Sequence, residues 1–299
     1  MKVDSKLARQ ISSGDFIVTA ECAPGATASG ATVEGALKAL GARPVAVNVA
    51  DNSHGVALSS LAASMAAMKS GIEPVLQMVT RDRNRIALQS DLLGAASLGI
   101  KNVLCMSGYH QTIIGCPESA NVFDVDSTQF IEITSAMSEK GVLSDGKGID
   151  GTVSLLVGAA ANPFLKPLEL NMFRLGKKVE AGAQFIQTHA VFDVKAFALW
   201  LDAARAEGFT KKAAVLAGVC PLDSVEEALK LRETYAEFVI PDEVIDRLRK
   251  AGDAAKKEGV AICAEIIKQL RALEGLRGIH ILSGGKEAFV PELVAAAGL

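Results

Sequence analysis

Aromatic side chains are scarce in this 299-residue chain: they make up 5% of it, with two tyrosines and one tryptophan. So few leave little material for the stacking platforms that hold single-stranded nucleic acid. There is no excess of positive charge either. Lys and Arg number 31 against 34 Asp and Glu, a net charge of −3, which speaks against a nucleic-acid binder working by bulk electrostatics. The five cysteines (Cys22, Cys105, Cys116, Cys220, Cys263) are odd in number and contain no C-x-x-C pair. A disulfide framework or structural zinc site is therefore not expected, and a reducing cytoplasm is the expected location. No apolar run approaches the roughly 20 residues of a membrane span. The Ala-rich stretch Leu58–Met68 is short and broken by serines, and the first sixteen residues lack the apolar core of a signal peptide. None of the four histidines forms an H-x-x-x-H or H-E-x-x-H pair, so no metal site is expected. Finally, no G-x-G-x-x-G follows the first apolar run, which disfavours a dinucleotide-binding fold.

What the chain does have is apolar substance, 49% of residues, arranged in a repeating pattern. Eight short runs rich in β-branched residues predict strands at Phe16–Cys22, Pro44–Ala50, Glu73–Thr80, Asn102–Ser107, Val153–Ala159, Gln184–Val191, Ala213–Val219 and Gly278–Leu282. They are mostly apolar rather than alternating, as expected for strands buried on both faces. Helical stripes lie between them, as at Asn84–Leu98 and Leu168–Ala181. Ser224 with Glu227 reads as a capping box opening Val225–Tyr235, and Gly298 closes a last helix at Glu287–Ala297. Eight β-then-α units predict an α/β fold of the (β/α)8 TIM barrel type, one domain over residues 1–299. A long loop at 110–126 and a helical segment at 241–274 exceed the basic plan. The Ala-rich helices Leu58–Met68 and Val194–Ala206 offer faces for a homo-oligomer.

In such a barrel the active site lies at the carboxyl ends of the strands. The polar residues there are Glu21; Asn48, Asp51 and Asn52; Gln77, Thr80 and Arg81; Ser107, Gly108, Tyr109 and His110; Asn162; Gln187, Thr188 and His189; and Ser283, Gly284 and Gly285. Glu21, inside V-T-A-E-C-A-P, is a carboxylate in apolar surroundings. Desolvation should raise its pKa toward that of a general acid, the plainer alternative being an ion pair with Arg81. His189 is the better functional histidine, while His280, within G-I-H-I-L, reads as a hydrogen-bonded core residue. Cys22 and Cys105 read as small buried apolar groups. T-R-D-R-N-R at 80–85 is a solvated helix start or an anion contact. S-G-G-K at 283–286 is a possible phosphate cradle.

Two long motifs, R-D-R-N-R-I-A-L-Q-S-D-L-L-G-A-A-S-L-G-I-K-N-V-L-C and K-K-V-E-A-G-A-Q-F-I-Q-T-H-A-V-F-D, and the ending from Gly278 onward resemble the methylenetetrahydrofolate reductase family across nearly the whole chain. The resemblance implies a barrel that binds FAD at its strand ends. Hydride taken from a reductant, often NAD(P)H, would pass to 5,10-methylenetetrahydrofolate to give 5-methyltetrahydrofolate. It assigns Glu21 as the general acid. It puts Asn48 and Gln77 at the flavin, Tyr109 where the family carries Asp, Asn171 where it carries Asp near the flavin's sugar–phosphate arm, and Lys178 as the retained basic partner. Gly108, His110 and Asn162 complete the expected cofactor set. His189 stands where the family carries a pterin-binding Gln, and Gln187 and Ser283 join it in the expected substrate set. Because these departures gather at the cofactor, two alternatives stand beside the reductase. One is a flavin-free relative that moves a methyl group between tetrahydrofolate and a corrinoid partner protein. The other is a non-catalytic folate-binding subunit. An electron-transfer partner is a further expectation, and nucleic acid and membrane are not.

Overall fold

The structure, a computed structural model, describes residues 3–299. Eight parallel strands close into one barrel in sequence order: β1 Ile17–Cys22, β2 Ala46–Val49, β3 Pro74–Val79, β4 Asn102–Met106, β5 Leu156–Ala161, β6 Phe185–Ala190, β7 Ala214–Val219 and β8 Leu276–Ile281. The ring closes through β1 and β8, where Ile17 faces Gly278 and Ala20 faces Ile281. The (β/α)8 TIM barrel is thus the fold. Its strands are almost wholly buried, which is why their sequences run apolar rather than alternating.

The helices follow in chain order: α1 Lys6–Ser13, α2 Gly30–Ala39, α3 Ser60–Lys69, α4 Arg85–Ser97, α5 Ser127–Lys140, α6 Leu168–Glu180, α7 Val194–Ala206, α8 Phe209–Lys212, α9 Val225–Thr234, α10 Asp242–Ala251, α11 Ala255–Leu270 and α12 Phe289–Ala297. Helix α1 precedes the first strand. Its buried Leu7, Ala8 and Ile11 pack with Ile17, Val75, Leu104, Leu156 and Leu216 in a second apolar cluster at the amino ends of the strands. That end of the barrel is plugged, so only the carboxyl end can open to a ligand.

Several sequence-derived bounds move. The fifth strand starts at Leu156 rather than Val153 and extends to Ala161, because both backbone polar groups of Leu155 are engaged by the Ser138 hydroxyl. The eighth begins at Leu276 and ends at Ile281. The last helix begins at Phe289, after Glu287 has turned inward to accept from the Ala23 N–H. Ser224 does cap α9, accepting from the Glu227 N–H, but the Glu227 carboxylate accepts from the Asp223 N–H rather than completing the box.

Candidate active site at the barrel mouth

A cavity of about 580 Å³ opens at the carboxyl ends of the strands, within the size range of small-molecule sites. Its deeper wall is polar. Gln187 and Asn48 exchange two hydrogen bonds, Asn48 Nδ2 donating at 2.7 Å and Gln187 Nε2 at 3.0 Å. Gln187 Nε2 also donates to Thr19 Oγ1, which lies 3.0 Å from His280 Nδ1. Burial lowers the His280 pKa to about 3, so that ring stays neutral inside the network. The core reading of His280 agrees with this placement.

Glu21 rises from β1 into the cavity. Among the described residues its side-chain hydrogen bond comes from Gln77 Nε2 at 3.4 Å. Burial pushes its pKa up to about 7; the Gln77 bond pulls the other way, and the nearby Glu287 carboxylate adds to the rise. The ion pair with Arg81 does not form. Arg81 is buried and committed to Asp82, with further bonds to the carbonyls of Tyr109 and Asn52. Arg83 binds Asp51 and Asp91, and Arg85 binds Asp124, so the three arginines of the 80–85 stretch spend their charge within the protein. Lys286, in the expected phosphate cradle, is likewise held by Asp223 and Glu227. Cys22 and Cys105 are buried, with burial raising both thiols to about 12. Cys220 lines the cavity at the same raised value, so it offers no thiolate at neutral pH.

Across the barrel from β1, two strand ends carry a second polar wall. After β4 the chain turns at Gly108, with φ of +83°, where a Cβ would lie 3.1 Å from the Val79 side chain. The turn presents Tyr109 to the cavity. On β6 the pairing register with β7 shifts between Gln187 and Ala190. The irregularity fits against Gly218, where a Cβ would stand 2.2 Å from the Thr188 carbonyl, and it brings His189 to the cavity wall. The segment after α9 roofs this side. Tyr235 packs on Tyr109 with ring centroids 5.1 Å apart, and Phe238 packs on Tyr235 at 5.9 Å. The Tyr109 hydroxyl donates to Glu237 Oε1, and the same oxygen lies 3.7 Å from His189 Nδ1.

Seven of the expected residues therefore gather at the cavity: Glu21, Gln77, Gly108, Tyr109, Gln187, His189 and Ser283 all line it. The others do not. Asn48 lies beneath the lining, bound to Gln187. His110 is exposed and bonds Thr112. Asn162, Asn171 and Lys178 form a closed set behind β5. The Asn162 side chain accepts from the Phe164 N–H, Asn171 Nδ2 donates to the carbonyls of Asn162 and Leu165, and Lys178 Nζ donates to the Ala160 carbonyl at 2.6 Å. Sequence reasoning missed Tyr235, Glu237 and Phe238. The available signal was the aromatic scarcity itself, since the chain's two tyrosines touch each other here.

The model of the family described as methylenetetrahydrofolate reductase matches residues 6–298. The chain belongs to the methylenetetrahydrofolate reductase family. Among its curated relatives, a probable methylenetetrahydrofolate reductase (NADPH) of Caenorhabditis elegans is 21% identical over 244 residues, covering 81% of this chain and 34% of its own length. Methylenetetrahydrofolate reductase 1 of Schizosaccharomyces pombe is 27% identical over 125 residues, 41% of this chain and 20% of that protein. The match thus spans 34% and 20% of the length of these two curated relatives. Among solved structures, an uncharacterized protein from Clostridium thermocellum, described as binding two copies of 5-methyl-5,6,7,8-tetrahydrofolic acid, superposes with a TM-score of 0.70. It shares 13% identity and coverage is 98% of each chain, a likeness of fold.

The reductase family resemblance assigns a flavin to this mouth, and the two residues it assigns to the flavin's sugar–phosphate arm do not face the cavity. A dinucleotide flavin needs cations or backbone N–H groups turned toward its pyrophosphate. Lys178, the basic residue assigned to that arm, is buried against the Ala160 carbonyl, and desolvation depresses its pKa. Asn171 holds two loop carbonyls, and neither residue borders the cavity. Where the family carries an acidic group after β4, the Tyr109 ring occupies the wall under Tyr235.

Proposed function

We propose that this chain is a reduced-folate enzyme acting on the 5,10-methylene- and 5-methyltetrahydrofolate pair, with Glu21 as the proton donor. The observation that carries the reading is the carboxyl on β1, raised by burial to about 7 where it lines the cavity at the barrel mouth. A group titrating near neutrality holds a proton at working pH and yields it at little thermodynamic cost, the condition for general acid catalysis. Folate nitrogens are weak bases that must be protonated for either chemistry at this carbon. Opening the methylene bridge to an iminium at N5 needs a proton on the departing nitrogen, and losing a methyl group from N5 needs a proton there. Gln77 holds the carboxyl in place with one weak bond, which leaves its hydrogen free to point into the cavity.

The polar lining fits the rest of a pterin. His189 and Ser283 offer donors and acceptors to the ring edge, Gln187 offers only its carbonyl oxygen because both its N–H groups are spent on Asn48 and Thr19, and the apolar Val79, Leu104, Met106 and Leu282 line the rest of the wall. Family membership and the methyltetrahydrofolate bound by the Clostridium thermocellum protein of the same fold support a folate ligand. In the reductive direction the iminium takes hydride from an external reductant or an electron-transfer partner. The closed Asn162–Asn171–Lys178 set favours a second reading, in which the methyl group passes from N5 to a corrinoid partner without a flavin.

Titrating the purified protein with 5-methyltetrahydrofolate and with FAD tests both. Saturable folate binding without uptake of flavin absorbance supports the reading. Tight FAD binding with no folate binding overturns it. Methyl transfer to reduced cobalamin, against oxidation of a nicotinamide in the presence of methylenetetrahydrofolate, then separates the two chemistries.

A further inference from the structure

Three elements distant in sequence meet at one carboxylate oxygen. Glu237 follows α9, Tyr109 follows β4 and His189 ends β6. Glu237 is 8% exposed and lies behind the two residues that border the cavity. Its Oε1 accepts from the Tyr109 hydroxyl and sits 3.7 Å from His189 Nδ1. A carboxylate is costly to bury unless it is engaged, and burial raises this one above the ordinary range. Three neighbouring elements bring these groups together. Gly108 turns Tyr109 inward, the β6 irregularity beside Gly218 brings His189 over, and Tyr235 and Phe238 close the roof on either side of Glu237 in sequence. The wall that lacks an acidic group directly after β4 has one brought in from a different loop.

We propose that Glu237 is the positioning residue of this wall, holding His189 with its Nδ1–H toward Oε1 so that Nε2 is presented to the ligand as a hydrogen-bond acceptor. The class of group recognised is then a ring or amide N–H, as on the pterin edge; this part rests on the folate reading above. Burial, with Lys178 nearby, lowers the His189 pKa to about 4, so the ring is neutral at working pH and must adopt one tautomer. A carboxylate oxygen 3.7 Å from Nδ1, an electrostatic contact longer than a hydrogen bond, favours the tautomer with its proton on that nitrogen. Oε1 accepts in either charge state of Glu237, since it remains the carbonyl oxygen if the proton sits on Oε2. Glutamine keeps that acceptor, and leucine or alanine removes it.

The test uses the full chain labelled with 15N-histidine, and reads the His189 tautomer by long-range proton–nitrogen NMR, assigned with His189→Asn. The wild type and Glu237→Gln are expected in the Nδ1–H form. Glu237→Leu is expected to move to the Nε2–H form or a mixture, with affinity for 5-methyltetrahydrofolate falling about tenfold, as for loss of one buried hydrogen bond. Glu237→Gln should stay within about threefold of wild type. If Glu237→Leu does not fold, Glu237→Ala carries the same expectation with less bulk. An unchanged Nδ1–H tautomer in the leucine or alanine variant overturns the proposal, as does a wild-type ring in the Nε2–H form. The tautomer is read without ligand. A wild type in the Nδ1–H form that fails to bind methyltetrahydrofolate would therefore sink the folate reading while leaving the positioning role standing.

Discussion

The two sides of the barrel mouth are built on opposite plans. On the β1–β3 side Glu21 stands with one long hydrogen bond from Gln77, and the arginines nearby are spent on other acids. On the β4–β6 side Tyr109 donates to Glu237, which sits 3.7 Å from His189, under an aromatic roof. The difference teaches how one cavity can serve two needs. A group that gives up a proton must be able to change charge, which a tight ion pair would forbid. A group that recognises a ligand gains from being held in one orientation before the ligand arrives.

The largest expected effect breaks the loose side alone. Glu21→Gln should lower folate turnover by about 10²–10⁴-fold, the usual contribution of a positioned acid, while leaving 5-methyltetrahydrofolate bound. Steady-state rates beside a binding titration check this, and near-normal turnover would remove Glu21 from its role. Next comes the tied side. Gly218→Ala places a Cβ against the Thr188 carbonyl, so the β6 irregularity must shift. A stability loss of about 3 kcal/mol is expected in denaturant melts, with weakened folate binding because His189 moves.

A smaller effect sharpens the contrast in charge. The folded-state value for Glu21 is about 7 against an ordinary 4.5. Its stabilising contribution is therefore fully present below pH 4.5 and is lost as pH rises through 7. Glu21→Gln should gain on wild type over that window, by about 2 kcal/mol at most for a half-buried group. Thermal melts at acid and mildly alkaline pH read this directly, and a constant difference would mean the group is not shifted. The smallest effect lies behind β5. Lys178→Met removes a cation that does not border the cavity, so methyltetrahydrofolate affinity should change by less than about threefold in a calorimetric titration. A tenfold loss would return Lys178 to the ligand.

The barrel was legible because its evidence is local. Eight apolar runs with helical stripes between them identify parallel β/α units. Glu21 was legible for the same reason: a carboxylate in V-T-A-E-C-A-P, within a buried strand, cannot escape desolvation. The bounds of β5 were not, since the Ser138 hydroxyl, on a neighbouring helix, engages the Leu155 backbone just before its ladder begins. Glu237 was missed because E-T-Y-A-E-F reads as the solvated end of a helix. Only the closed barrel brings that loop over Tyr109. The cofactor assignments of Asn162, Asn171 and Lys178 rested on resemblance, and sequence position carries no information about whether a side chain faces a cavity or a backbone carbonyl.

The most direct measurement of the central claim is the affinity for 5-methyltetrahydrofolate followed across roughly pH 5.5–8.5 in wild type and Glu21→Gln. A carboxyl that gives its proton to the ligand predicts tight binding below pH 7 and progressive weakening above it in wild type, with that transition gone in the variant. The same pH profile in both proteins would contradict the account.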